Sequence, residues 1–182
     1  MIIIEDITVN EYISIEDDEV KKEYDYAIKY AYIYNKPKDY YKLGDIMKLP
    51  FGWIKDFQYA LSEGMVWDDY IKLISVFVKK PYNEKLLRLC QQRVYLINAM
   101  EELIYVEEKA LSSSLSSDEE SAGMDDFDGF GIELQFRNLT GGDVTKKDDV
   151  RNIPYEDCFV ELVLQKKISD YERRLMNIRK IS

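Results

Sequence analysis

Carboxylates are the most abundant side chains in this sequence that could do chemistry. The 182 residues contain 35 Asp and Glu against 25 Lys and Arg, a net charge of −10, and no histidine. The absence of histidine excludes Ser-His-Asp and Cys-His catalysis, His-ligated zinc and histidine acid–base chemistry. A carboxylate-based, metal-dependent enzyme is one hypothesis that remains, and only the abundance of acids supports it.

One acidic run has the composition of a calcium site. Asp125, Asp126 and Asp128 precede Gly129. An EF-hand loop needs its first carboxylate five residues before the glycine, and Met124 holds that position. We therefore predict no metal site, and we assign no catalytic residue, no cofactor-binding residue and no cofactor. The expectation is a protein that is not an enzyme.

The cysteines and the net charge disfavour further classes. Cys90 and Cys158 are too few for a disulfide framework and lie among apolar residues, so we expect reduced thiols in a core. Negative charge repels phosphate, which disfavours sequence-specific nucleic-acid binding and anionic membranes. No segment approaches the ~18 uninterrupted apolar residues of a membrane span. The first residues do not predict a signal peptide.

Tyrosine is unusually frequent near the start of the chain. Eight of the 15 tyrosines lie between Tyr12 and Tyr41, and those from 18 to 34 surround one predicted helix. A helix in a small domain buries only one face, so some of these rings must face outward. Either a thick core leaves them half-exposed, or Tyr26, Tyr30 and Tyr34 belong to a protein–protein interface, where aromatic rings with a polar group are common.

Basic side chains concentrate at the end of the chain. From residue 166 onward, six Lys and Arg stand against two acids, which gives +4. Cations near a helix C-terminus complement the helix dipole. The alternative interpretation is that Arg173 and Arg174 belong to a docking surface for an acidic partner, such as the acidic segment of another copy.

The elements that position these residues are predicted to be helices. Thr8 and Glu11 have the spacing of a capping box for a short helix, although the alternation from 7 to 15 also fits a strand. Trp53 and Trp67 are expected to anchor a helical hairpin from 51 to 78. Apolar periodicity predicts a helix from about 18 to Pro37, another over 39–48 and the longest from about Asn83 to Leu111.

The composition changes after the longest helix. Residues 112–130 are rich in Ser and acids, which predicts a flexible insert. Residues 131–136 alternate in a way that predicts a short strand, and Pro154 fits the first turn of a long C-terminal helix. The predicted fold is therefore mainly α. A helical bundle spans 1–111, the acidic insert spans 112–130, and 131–182 holds a strand, a turn and a helix that packs back on the bundle.

The stretch from Leu49 to Tyr59 resembles small structural and assembly proteins of tailed bacteriophages, including those of the crAss-like group. Trp67–Ile71 and the opening Ile7–Tyr12 share this resemblance, which covers roughly residues 7 to 80. In such particles, small helical proteins form rings between portal and tail or assist assembly. The resemblance implies no catalytic residue, and it implies Trp53 and Trp67 as aromatic packing anchors.

Together these observations predict a non-enzymatic structural protein of a phage virion, made in the host cytoplasm. We expect a connector or ring protein near the head–tail junction that forms homo-oligomers. Its expected partners are portal, tail or neighbouring ring proteins, and we expect no membrane contact. The alternatives are a tail-assembly chaperone that is absent from the mature particle and an acidic regulator that mimics DNA.

Overall fold

Helices make up the regular structure of this chain. The computed structural model describes residues 7–34, 45–79, 81–112 and 130–181, and within these ranges there are eight α-helices and no strand. They are α1 (Val9–Ile13), α2 (Asp18–Tyr34), α3 (Phe51–Ser62), α4 (Trp67–Ile74), α5 (Leu86–Leu111), α6 (Gly131–Thr140), α7 (Lys147–Arg151) and α8 (Tyr155–Ile181). The prediction of a mainly helical protein is confirmed.

The predicted short strand over 131–136 is wrong, because this stretch is the start of α6. The buried residues of α6 are Phe136 and Thr140, which lie four residues apart, and Gly141 ends the helix in the left-handed conformation with φ 62°. Three alternating apolar residues also fit one to two turns of an amphipathic helix. The glycine that follows at C-cap spacing was the better signal for this stretch.

Several predicted boundaries differ from the observed ones. α4 ends at Ile74, well before Pro81, and Pro81–Asn83 forms a 3₁₀ turn ahead of α5. Of the helix predicted over 39–48, residues 39–44 lie outside the described part, and Ile46–Lys48 forms a 3₁₀ turn. Of the predicted flexible insert 112–130, residues 113–129 lie outside the described part of the chain. Pro37 also lies outside it.

The chain divides into two compact units. Unit 1 contains Met1–Ile46 and Asp56–Glu101, and unit 2 contains Met47–Lys55 and Glu102–Ser182. The boundary falls within α3, after Lys55, and within α5, after Glu101. The segments that form each unit are therefore far apart in sequence.

In unit 1, α1 is held by its own cap and by the segment before α5. Thr8 and Glu11 form the predicted capping box, which confirms the helix over the alternative strand. The Val9 amide donates to the Glu84 carbonyl at 3.1 Å, and the Leu86 amide donates to the Ile7 carbonyl at 2.9 Å. These bonds give acceptors to the first N–H groups of α1 and α5, which have no partner within their own helices.

The core of unit 1 is rich in aromatic rings. The Trp67 ring meets Tyr12 and Tyr70 edge-on, with centroids 6.3 Å and 5.8 Å apart. Arg93 lies 5.4 Å from the Trp67 ring and donates to the Met65 carbonyl at 2.8 Å. Cys90 is buried nearby on α5, and burial raises the pKa of its thiol to about 12. Trp67 is therefore half-buried and packs against the aromatic rings of this unit.

In unit 2, the start of α3 meets the start of α8. The Phe51 amide donates to the Ile153 carbonyl at 2.8 Å, and the Tyr155 amide donates to the Leu49 carbonyl at 2.9 Å. The Phe51 ring stacks on Tyr155, with centroids 6.1 Å apart. These contacts fix the position from which α8 extends.

Candidate interaction surface

α8 is the longest of the described helices, and its first half has a conventional inner face. It has 27 residues, roughly 40 Å at ~1.5 Å per residue. Tyr155, Cys158 and Leu162 are buried on one side, and the Gln165 side chain donates to the Asn138 carbonyl of α6 at 3.4 Å. Glu156 and Asp157 lie in the first turn, where negative charge favours the helix dipole.

The opposite side of α8 is also apolar, and it is exposed. We call it the outer face of α8 and define it by Val160, Leu164, Ile168, Tyr171, Leu175 and Ile178. These residues are separated by 4, 4, 3, 4 and 3 positions, the spacing that keeps side chains on one side of a helix. Val160, Tyr171 and Ile178 are 65%, 59% and 63% exposed, Leu164 and Ile168 are 50% and 49% exposed, and Leu175 is half-buried. This is a continuous stripe, whereas single exposed apolar residues are common on any protein.

The edges of the outer face carry charges, mostly positive. Lys167, Arg174 and Arg179 are exposed beside the stripe, together with two acids, Glu161 and Glu172. Exposed cationic side chains beside an apolar stripe favour a partner whose surface combines apolar side chains with carboxylates.

A separate charged group lies on the other side of α8. Asp170 accepts hydrogen bonds from Lys166 at 2.7 Å and from Arg173 at 2.9 Å. The hydrogen bond from Lys166 lowers the pKa of the Asp170 carboxyl. Of the two arginines that the sequence singled out, Arg173 is therefore paired within the helix, whereas Arg174 is exposed at the edge of the outer face.

A second exposed helix face in unit 2 has the opposite charge balance. We call it the outer face of α5 and define it by Glu102, Tyr105, Val106, Glu108 and Lys109. Tyr105 is 63% exposed and Val106 is 40% exposed, and the three charged residues are also exposed. The Lys109 amine lies 6.0 Å from the Tyr105 ring centre. Apolar surface and a net negative charge therefore occur together on this face.

The aromatic residues predicted as interface candidates lie in different environments. Tyr26 is exposed on α2, whereas Trp53 is only 7% exposed in unit 2. Trp67 packs against Tyr12 and Tyr70 in unit 1. The side chains of Tyr30 and Tyr34 lie outside the part of the chain whose side chains are described.

The outer face of α8 was not predicted, although the sequence carries a signal for it. The apolar residues of this helix are too numerous and too widely spread for one stripe. The reasoning that applied to the tyrosines of α2 therefore applied here as well: a helix that packs by one face leaves its other apolar face outside.

A charged cluster of Lys55, Glu107 and Tyr155 is buried in unit 2. The Lys55 amine, 2% exposed, lies 2.5 Å from Glu107 Oε1, and the Tyr155 hydroxyl donates to the same oxygen at 2.6 Å. Burial lowers the pKa of Lys55, and the Glu107 carboxylate opposes that shift. Burial, followed by the charge of Glu107, raises the pKa of the Tyr155 hydroxyl.

This cluster is enclosed by aromatic rings. The Lys55 amine lies 5.3 Å and 5.8 Å from the ring centres of Phe51 and Tyr155. The Lys55 amine thus has a short ion pair with Glu107, which also accepts from Tyr155, and two aromatic faces beside it. The cluster is therefore a packed internal ion pair in which the Lys55 amine is shielded from solvent.

A groove of about 320 Å³ lies between α6 and α7 in unit 2. Phe130, Leu134 and Val144 contribute to its apolar lining. At its edge Lys147 donates to both carboxylate oxygens of Glu133, at 2.8 Å and 2.7 Å. The lysine is thereby neutralised by its neighbour, and the groove combines apolar contact with one further cation, Arg137.

No group of three or more Cys, Asp or Glu side chains in the described ranges is arranged to hold a metal ion. None of the helices there combines the length and the apolar composition that a membrane span requires.

The exposed stripe on α8, with its charged edges, places this chain in the class of helical proteins with an extended, exposed helix face. Comparisons with protein-family models, with characterised proteins and with solved structures found no match. The residues themselves must therefore carry any functional interpretation.

Proposed function

We propose that this protein is a non-enzymatic structural component of a phage virion, located near the head–tail junction and acting through protein–protein contacts. The observation that carries the proposal is the outer face of α8. The resemblance of residues 7 to 80 to small phage assembly proteins gives the proposal its context.

The outer face of α8 is costly to leave in water. Burying apolar surface is worth about 25 cal/mol per Å², and this face exposes five large apolar side chains to roughly half or more. A helix of this length presents them in one row, which is the arrangement by which one helix docks against another. A protein that works by occupying a fixed place in an assembly needs such a surface.

The test compares wild-type protein with a variant of the outer face in purified particles. Leu164→Glu with Ile168→Glu places two carboxylates in the middle of the stripe. Val76→Glu is the matched control, because Val76 is 69% exposed and lies in unit 1. Mass spectrometry of purified particles should detect the wild-type and control proteins in fixed amounts and should not detect the double variant.

Other results would contradict the proposal. If wild-type protein is abundant in infected cells and absent from particles, the protein acts during assembly only, as a tail-assembly chaperone would. If the double variant enters particles as well as the wild type, the outer face of α8 is not the surface that holds the protein in place.

A further inference from the structure

We propose that neighbouring copies of this chain contact one another head to tail, with the outer face of α8 of one copy on the outer face of α5 of the next. The proposal deepens the function proposed above, and it rests on it for the idea of a ring. It names the partner as a second copy and names both surfaces.

The charges of the two faces are complementary. The outer face of α8 is bordered by three exposed cations, Lys167, Arg174 and Arg179, and by two exposed acids, Glu161 and Glu172, which gives a net charge of +1. The outer face of α5 combines exposed Tyr105 and Val106 with two carboxylates and one amine. Each face supplies apolar contact, and their net charges have opposite signs, which favours encounter and correct register.

Charge does not favour the pairing of α8 with itself. With Ile168 and Leu175 as a positions and Leu164, Tyr171 and Ile178 as d positions, Lys167 and Arg174 fall at g positions and Glu172 and Arg179 at e positions. A parallel pair of α8 helices would place Arg174 opposite Arg179 of the other copy and Lys167 opposite Glu172, so one repulsive pair offsets one attractive pair. An antiparallel pair would place Lys167 opposite Arg174. Neither direction therefore gains a net charge attraction, whereas the contact of α8 with α5 does.

A contact between two different faces has a geometrical consequence. A pair of copies still has one unused α8 face and one unused α5 face, so further copies add until a ring closes or a filament grows. A contact between two identical faces would stop at a dimer. The oligomeric products of suitably chosen variants therefore distinguish the two arrangements.

The experiment uses the purified full chain and two variants, each with one face blocked. Leu164→Glu with Ile168→Glu blocks α8, and Tyr105→Ser with Val106→Ser blocks α5 by removing its apolar side chains without creating a charge that could attract the blocked α8 face. All four positions are exposed, so circular dichroism should show unchanged helicity in both variants. Sedimentation velocity should show species larger than a dimer for the wild type and for the control Val76→Glu, and monomers for each blocked variant alone.

Mixing the two blocked variants is the decisive step. The α5-blocked variant retains a working α8 face, and the α8-blocked variant retains a working α5 face. A one-to-one mixture should double in mass to a dimer and grow no further.

Three results would overturn the proposal: a monomeric wild-type protein, an α5-blocked variant that still assembles like the wild type, or a mixture that stays monomeric. None of these results would show whether the protein is present in particles, which mass spectrometry of purified particles tests separately.

Discussion

At the scale of single residues, the buried ion pair of unit 2 is the clearest example of what the sequence conceals. Lys55 and Glu107 are 52 positions apart, and each lies on a helix where a charged residue would ordinarily face water. Local patterns predicted the Thr8–Glu11 capping box correctly because its partners are three residues apart. Lys55 and Glu107 come together only in the folded chain, so no local sequence pattern indicates their pairing.

The buried pair gives the first prediction. Lys55→Met should lower the free energy of unfolding by about 3–5 kcal/mol, because Glu107 then remains buried without its cation. The double variant Lys55→Met with Glu107→Gln should recover most of the loss, since no charge is buried and glutamine still accepts from Tyr155. Urea unfolding measures both. A single variant that is as stable as the double variant would show that the pair is not energetically coupled.

A second prediction concerns Tyr70, which is fully buried in unit 1. Burial raises the pKa of its hydroxyl above the usual value. Above about pH 10 the unfolded chain releases this proton while the folded chain retains it, so stability falls as pH rises. Tyr70→Phe should reduce this alkaline loss by about 1.4 kcal/mol per pH unit.

The control for Tyr70 is Tyr59→Phe on α3, where the ring is 59% exposed. The measurement is the free energy of unfolding from chemical denaturation at several values above pH 10. Equal alkaline slopes for Tyr70→Phe and the wild type would contradict the assignment of the retained proton to Tyr70.

At the scale of elements, the helical character of the chain was predictable, and the excess of apolar residues on α8 indicated an exposed face without identifying which face it is. Apolar periodicity indicated α3, α5 and α8 because a spacing of three to four residues is a local property. The same periodicity does not say whether an apolar stripe packs inside the molecule or stays outside, because that depends on which other elements cover it. α8 has one stripe of each kind.

The two faces of α8 give the third prediction. Leu162 is 5% exposed and Leu164 is 50% exposed, although they are two residues apart on one helix. Leu162→Ala should cost about 2–5 kcal/mol through lost burial and a cavity. Leu164→Ala should change the stability by no more than about 0.5 kcal/mol. Thermal unfolding of both variants checks this, and a similar loss for both would mean that the outer face is packed in the monomer.

At the scale of the whole molecule, net charge and composition were informative about classes and silent about partners. A net charge of −10 and the absence of histidine limited the chemistry. The separation of a cationic, apolar helix face from an anionic one became visible only when the helices were assembled, because exposure cannot be read from the order of residues. The function proposed for the chain depends on that separation.

The most direct test of the central claim measures whether the outer face of α8 is covered when the protein assembles. Leu164→Cys introduces a thiol on that face, and Val76→Cys introduces one at the exposed control position. Cys90 and Cys158 are buried, and burial raises the pKa of both thiols, so the native cysteines should react slowly. The measurement is the rate of maleimide labelling at low and at high protein concentration.

The rate at Leu164→Cys should fall as the protein assembles at high concentration, while the rate at Val76→Cys should stay constant. Equal labelling rates for Leu164→Cys in the dilute and the assembled protein would contradict the claim that this face is an interaction surface.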